Sequence, residues 1–340
     1  MLIFKNANIQ KLNLALTLNT GQNFRWRLID SNKWLGVISN LYVVILEQCD
    51  QTIGYEVINV DHVISTWPAK VSTKKIHNSF HNQLEHYFRL DIDLDHLYDH
   101  WSRCDRHFHQ ISSRLKGIRL LRQDIVENVF SFICSSNNNI QRISKMVETL
   151  CRQYGTKLFS SHDQSIITED VYSFPEISTL VVGDQIERQL RELGFGYRAR
   201  FICQTAQQIM NQSNQNPEEW IKRLTRSSYE DARQLLMSLP GIGAKVADCI
   251  CLMSLGFTDS VPIDTHVLQL TSKLYANENS SFKMTKSSLT AKKYAEIGDF
   301  YRQKFQLHPG WAQTVLFCSD LKQNSHQKIK KTRLSSNEKK

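Results

Sequence analysis

Residues 239–245 read Leu-Pro-Gly-Ile-Gly-Ala-Lys, and Asp264 follows nineteen positions after the lysine. Pro-Gly-Ile-Gly predicts a tight hairpin, because glycines at 241 and 243 allow a sharp turn and a close approach of backbone to ligand. Apolar-periodic segments flank it, Tyr229 to Met237 before and Val246 to Leu255 after, so the reading is helix, hairpin, helix. The amides of the turn stand at the start of the second helix. Free N–H groups and the helix dipole favour an anion there, such as phosphate. Lys245 lies in the first turn of that helix. With a carboxylate delivered by the next segment, it is a candidate nucleophile. Without Asp264 the same hairpin fits a non-catalytic grip on DNA backbone equally well.

This arrangement resembles the helix-hairpin-helix DNA glycosylases, and the residues say what chemistry that would be. A free lysine has a pKa of about 10.4 and is a poor nucleophile at neutral pH. It must shed its proton to attack carbon, which burial or the positive end of a helix favours. An ionised Asp264 favours the ammonium instead. Its more natural task is to stabilise positive charge on a sugar as the glycosidic bond breaks. Asp264 precedes Thr-His-Val-Leu-Gln-Leu and reads as an N-cap, which holds a carboxylate in place.

Outward from the hairpin, the chain divides by pattern. Residues 1–82 read as an antiparallel β domain, with candidate strands Leu12–Leu18, Phe24–Leu28, Trp34–Ile38, Tyr42–Leu46 and Ile53–Val57. The segment 67–80 reads as a connector. Residues 83–321 form a large two-part helical region that contains the helix-hairpin-helix at 229–255. Its candidate helices include Gln83–Leu90, Asp124–Ser135, Ile140–Tyr154, Ala199–Met210, Ala244–Leu255, Ala291–Phe305 and Trp311–Leu321. The fold class is α+β, an N-terminal sheet appended to helices.

The net charge of +9 belongs mostly to the end of the chain. Residues 322–340 carry seven lysines and arginines against Glu338 alone, a net of +6 that leaves the body at +3. The tail reads as disordered. Its Lys328-Ile-Lys-Lys-Thr-Arg333 cluster fits a nuclear address, a DNA tether or a merely solvated end. The N-terminus lacks signal- or transit-peptide character, and no apolar run approaches a membrane span. The expected localisation is nuclear, with a mitochondrial form left open. Eight cysteines include no Cys-x-x-Cys pair, so neither a disulfide framework nor a zinc or iron–sulfur site is expected.

Further stretches narrow the family. Gly21-Gln-Asn-Phe-Arg-Trp26, Ser131-Phe-Ile-Cys-Ser-Ser-Asn-Asn-Asn-Ile140, Gly194-Phe-Gly-Tyr-Arg-Ala-Arg200 and Gly310-Trp-Ala-Gln-Thr-Val-Leu-Phe317 resemble the eukaryotic-type 8-oxoguanine DNA glycosylases. The resemblance runs from about residue 10 to 321. It implies a bifunctional glycosylase and lyase that acts as a monomer, without a cofactor, on duplex DNA containing 8-oxoguanine opposite cytosine.

It also implies roles. Gly21 offers its backbone carbonyl to the hydrogen that oxidation places on N7, while Cys249 and Phe317 sandwich the ring and Gln313 binds its Watson–Crick edge. Asn137, Arg142 and Arg198 read the orphaned cytosine, Tyr197 wedges beside the vacated stack, and Asn138 fills part of the gap. His266 lies near the DNA backbone with Asp320 orienting it, and Gly241 and Gly243 belong to the phosphate grip. No metal is required, although the resemblance implies that the carbonyls of Met237, Leu239 and Ile242 could hold a monovalent cation. On residues alone, Cys249 and Phe317 read as plain core and Asn137-Asn-Asn139 as a helix end. Two alternatives stay open at this point: a non-catalytic DNA-binding protein, and a glycosylase for another damaged base.

Overall fold

The computed structural model describes residues 2–3, 10–49, 51–66, 73–163, 166–181, 183–283 and 289–320 of the 340. The basic tail at 322–340 and most of the N-terminal stretch lie outside the described residues. Five antiparallel strands form the N-terminal sheet in the order β1-β5-β4-β3-β2. They are β1 (Leu2–Ile3), β2 (Arg27–Asp30), β3 (Lys33–Ile38), β4 (Tyr42–Gln48) and β5 (Ile53–Val57).

Two faces of this sheet are covered. Trp34, Ile38, Val44 and Leu46 pack on a helix, Thr73–Tyr87, whose Ile76, Phe80 and Leu84 recur every fourth residue. The Phe80 ring lies 5.0 Å from that of Tyr42 and 5.5 Å from that of Tyr55. The alternate residues Leu35, Val37, Val43 and Ile45 meet Leu158, Phe159, Ile167 and Val171, from around the short antiparallel pair Lys157–Phe159 and Val171–Tyr172. Burial on both sides explains why β3 and β4 are apolar almost without interruption.

Three expectations need correction. Leu12–Leu18 is not a strand: Leu14–Leu18 is a helix, capped by Asn13, whose side chain accepts from the Leu16 amide at 2.9 Å. Leu-Ala-Leu-Thr-Leu contains one β-branched residue, so local propensity favoured helix, and burial around most of the turn hid its period. Phe24–Leu28 becomes strand only at Arg27. Before that, Trp26 turns into the core and donates its Nε1–H to Tyr87 at 3.0 Å. The part of the 67–80 connector that is described, 73–80, is the first half of a fifteen-residue helix. It runs through the expected domain boundary at 82/83. Its His, Asn, Ser and Lys content concealed a sparse apolar stripe.

The remaining chain is mostly helical around one large apolar cluster that includes Trp101, Phe130, Ile250 and Trp311. Among the described residues no helix is long and apolar enough to cross a membrane. A polar seam joins sheet and helices. Arg25, buried, bridges to Glu127 at 3.0 Å and also donates to the Tyr172 carbonyl. Asn23 donates to Gln123 at 3.0 Å and to Glu127 at 3.1 Å. These bonds fix the segment just after Gly21 against the helix Ile125–Ser135. They hold Gly21 in reach of Lys245.

Candidate active site

The hairpin forms as its residues dictate. Helix Tyr229–Met237 starts on Ser228, whose side chain accepts from the Asp231 amide, and gives way at Ser238. Gly241 then has a φ of +79°, a conformation that favours glycine, and a Cβ there would lie 2.7 Å from the Phe201 ring. Gly243 differs. Its φ is −91°, and a Cβ would meet nothing within 4 Å, so nothing inside the protein demands a glycine. As the N-cap of helix Ala244–Ile250 it supplies no side-chain cap. Among the described residues, the first-turn amides of that helix therefore lack a side-chain partner. The Leu239 carbonyl accepts from the Ile242 amide at 3.2 Å and the Pro240 carbonyl from Thr205 at 2.8 Å, which stiffens the turn. Met237 is exposed at its edge.

Beyond Ile250 the helix continues as a π-helical turn, Cys251–Leu255. Its carbonyls are taken up from outside. Buried Arg89 donates to Leu252 at 3.1 Å and the Gln123 amide to Met253 at 2.8 Å. A widened turn of this kind recurs at functional sites.

Lys245, half-buried, places its Nζ 5.2 Å from the centre of the Phe132 ring. Phe132 in turn takes an edge contact with Phe24, centroids 5.6 Å apart. Asp264 is the N-cap of helix Thr265–Tyr275 and accepts from the Val267 amide at 2.8 Å. Both carboxylate and lysine face one cavity of about 490 Å³, within the roughly 300–1,000 Å³ of small-molecule sites.

The same cavity is lined by Gly21, Cys249, Gln313, Phe317, Asn138 and His266. Gly21 has a φ of +75°, and a Cβ there would crowd Ile140 at 3.3 Å. Burial pushes the Cys249 thiol up to about 11, although the neighbouring Lys245 charge opposes the shift. The thiol is thus protonated at neutral pH and presents a neutral, polarisable surface. Gln313 is 4% exposed, and among the described residues no group forms a hydrogen bond with its amide. Phe317 stands edge-on to His266 at 6.4 Å. Asp320, expected beside His266, accepts from Lys273 at 3.2 Å.

The second expected group gathers around the loop after helix Ile125–Ser135, of which Asn138 also lines the cavity. Asn137 has a φ of +48°, and the carbonyl just before it, on Ser136, collects donors. Tyr197 Oη donates to it at 3.0 Å and Arg198 Nε at 3.1 Å, with a second bond from Arg198 Nη2. Arg198 Nη2 also donates to the Asn137 carbonyl at 3.1 Å, and the guanidinium lies 4.6 Å from the Tyr197 ring centre. Arg198 is therefore buried here, whereas Arg142 is exposed and reaches the Gly194 carbonyl at 3.3 Å. Asn138 donates to the Cys134 carbonyl at 3.0 Å.

Sequence reasoning missed several lining residues. Phe24, Phe132, Ile140 and Met253 read as helix or strand core, and nothing in their spacing separates a cavity wall from a packed face. It also missed Asp248, which is 1% exposed. A lone acid among Val246, Ala247, Cys249 and Ile250 was the available signal, because a buried carboxylate demands partners.

Comparison with known proteins identifies the family. The family described as 8-oxoguanine DNA glycosylase, N-terminal domain, matches residues 4–129, and the HhH-GPD superfamily of base excision DNA repair proteins matches residues 130–294. An N-glycosylase/DNA lyase of Saccharomyces cerevisiae is 34% identical over 337 residues, covering 92% of this chain and 85% of that protein. The N-glycosylase/DNA lyase OGG1 of Arabidopsis thaliana is 32% identical, covering 92% and 78%. Among solved structures, the Clostridium acetobutylicum 8-oxoguanine glycosylase/lyase, in complex with double-stranded DNA containing cytosine opposite 8-oxoguanine, superposes with a TM-score of 0.73. It is 25% identical and covers 93% of each chain. The chain belongs to the N-glycosylase/DNA lyase family of 8-oxoguanine DNA glycosylases, within the helix-hairpin-helix superfamily of base excision repair proteins.

Proposed function

We propose that this protein excises 8-oxoguanine paired with cytosine from duplex DNA and then cleaves the strand at the resulting abasic site. The observation that carries the reading is convergence. Gly21, Lys245, Cys249, Asp264, Gln313 and Phe317, drawn from four distant stretches, line one cavity of about 490 Å³.

In this scheme the damaged nucleotide leaves the stack and enters the cavity. The neutral Cys249 thiol and the Phe317 ring hold the base between them, and the unpaired Gln313 amide bonds its Watson–Crick edge. A fixed Gly21 carbonyl accepts the N7 hydrogen of 8-oxoguanine and repels the N7 lone pair of guanine. A lost bond of this kind is worth about 1–3 kcal/mol in a dry site. Lys245 Nζ, as the free amine, forms a bond to C1′ while the glycosidic bond breaks, and its electron pair leaves with the base. The Asp264 carboxylate stabilises the positive charge on the sugar. Loss of a proton from nitrogen and opening of the sugar give a Schiff base. Removal of a C2′ proton then expels the 3′ phosphate.

On the other strand, Asn137, Arg142 and Arg198 read cytosine beside Tyr197, with Asn138 in the gap. Arg198 must first give up its bonds to Ser136. The hairpin at Gly241 and Gly243 grips the phosphate backbone near His266. The carbonyls of Met237, Leu239 and Ile242 are the proposed cation ligands, with Leu239 keeping one lone pair free. The basic cluster at 328–333 is proposed as a nuclear address, tested by the location of a fluorescent fusion with and without it.

The decisive experiment is a single-turnover nicking assay with borohydride trapping on duplexes carrying 8-oxoguanine opposite cytosine, guanine opposite cytosine, and 8-oxoguanine opposite adenine. The expected result is cleavage and a trapped adduct for the first duplex only, with both lost in Lys245→Gln. Full activity in that variant refutes the scheme. Equal cleavage opposite adenine refutes the roles of Arg142 and Arg198.

A further inference from the structure

One turn after the lysine on the same helix, outside the cavity lining, lies a buried carboxylate. Asp248 is 1% exposed, and a carboxylate so placed must be fully bonded. Its Oδ1 accepts from Tyr229 Oη at 2.8 Å, from Arg233 Nε at 2.8 Å and from Ser260 Oγ at 3.3 Å; its Oδ2 accepts from Tyr294 Oη at 2.5 Å. Among these donors Tyr294 has a second attachment. Its oxygen accepts the Ile263 amide at 3.3 Å, and Ile263 immediately precedes Asp264. Burial pushes the Tyr294 hydroxyl far above the ordinary tyrosine range, so the proton stays on tyrosine and the bond keeps its direction.

We infer that Tyr294 is a positioning residue: through Asp248 it ties the backbone entering Asp264 to the helix that carries Lys245, and so sets the separation of the two reacting side chains. The inference rests on the reading of Lys245 and Asp264 as the reacting pair. Lys245 and Asp248 are three residues apart on helix Ala244–Ile250, so the helix transmits a rigid relation between them. Asp264 begins a different helix, Thr265–Tyr275. Val261 and Ile263, on the approach to it, are each 1% exposed, so the Ile263 amide has no ready access to water. Without the Tyr294 oxygen this amide loses its acceptor, and the approach to Asp264 shifts until it finds another. Displacement of a reacting group by about 1 Å costs on the order of a hundredfold in rate.

The test compares Tyr294→Phe with Tyr229→Phe. Each removes one hydroxyl from the same carboxylate, and only the first also releases Ile263. Both are assayed with full-length protein in the cold, well below the melting transition of either variant. At saturating 8-oxoguanine:cytosine duplex, Tyr294→Phe is expected to excise at least about tenfold more slowly than wild type, with unchanged duplex affinity. Tyr229→Phe is expected within about twofold of wild type, although both lose a buried hydrogen bond. Amide exchange across residues 261–267 is expected to quicken in Tyr294→Phe alone. Equal rates in both variants, whether fast or slow, overturn the inference, as does equal exchange. A wild-type protein that does not cut the lesion overturns the functional reading instead, and amide exchange still decides the tie.

Discussion

The two glycines of the hairpin make opposite predictions, and the pair is more informative than either alone. Gly241→Ala places a Cβ 2.7 Å from the Phe201 ring at a residue held at a φ of +79°. A non-glycine residue in that region costs about 1–2 kcal/mol, and displacing a packed ring adds about 1–2 kcal/mol more. The total is about 2–4 kcal/mol. With an unfolding entropy of about 2.1 cal/mol/K per residue, a chain of this length loses roughly 3–6 °C in melting temperature. Gly243→Ala meets nothing within 4 Å. Its cost is that of alanine for glycine at an N-cap, under about 1 kcal/mol and close to the noise of a melting curve. If the turn grips phosphate, however, the new methyl stands where backbone and DNA approach. Loss of one charge-assisted hydrogen bond is worth about 1.5 kcal/mol, or roughly tenfold in affinity. Differential scanning fluorimetry gives the first quantity, and fluorescence anisotropy on an abasic-analogue duplex gives the second. A Gly243→Ala protein that melts and binds like wild type refutes the backbone-approach argument. A Gly241→Ala protein that melts like wild type refutes the steric one.

Arg25→Met leaves Glu127 buried without its partner and is expected to cost about 3–5 kcal/mol. Burial already raises the Glu127 pKa in the fold and Arg25 opposes that rise, so the variant raises it further. A carboxyl with a raised folded pKa binds its proton more tightly in the native state, and stability falls as pH climbs from the unfolded value to the folded one. The gap in melting temperature between variant and wild type should therefore shrink as pH is lowered from neutral; a gap that widens contradicts the account. For cysteine reactivity, alkylation at pH 7.5 followed by mass spectrometry should modify exposed Cys49 at least about a hundredfold faster than Cys249, whose thiol is pushed up to about 11. Comparable rates would mean that Cys249 is not the neutral wall described.

The hairpin and the N-cap at Asp264 were legible because each depends on local chemistry, a glycine at positive φ in one case and an acid before a helix in the other. Ile53–Val57 was read to the residue, since its side chains alternate between buried and half-buried. Helix Thr73–Tyr87 was not, because its apolar stripe of Ile76, Phe80 and Leu84 is diluted by polar residues that only the sheet makes tolerable. Leu14–Leu18 failed differently: buried on most sides, it had no face for a period to reveal. At the site, the two residues proposed for the bond chemistry, Lys245 and Asp264, lie in one readable stretch. Phe132 and Ile140 become cavity walls only through long-range packing, and Asp248 gains its meaning from Tyr294, nearly fifty residues away. Family resemblance, not pattern, supplied Gly21, Gln313 and Phe317.

The cavity is closed by residues from both ends of the chain, Gly21 near the start and Phe317 near the end. A growing polypeptide holds its proposed nucleophile, Lys245, and its hairpin before it holds the whole pocket. Until the helix at 309–320 leaves the ribosome, the cavity lacks the wall that Gln313 and Phe317 supply. On the proposed reading, the residues that choose the base are thus completed after those that do the bond chemistry. A bound lesion would, by linkage, stabilise the fold in which Gly21 and Phe317 are held around one cavity. The base to be removed then acts as a clasp on the enzyme that removes it.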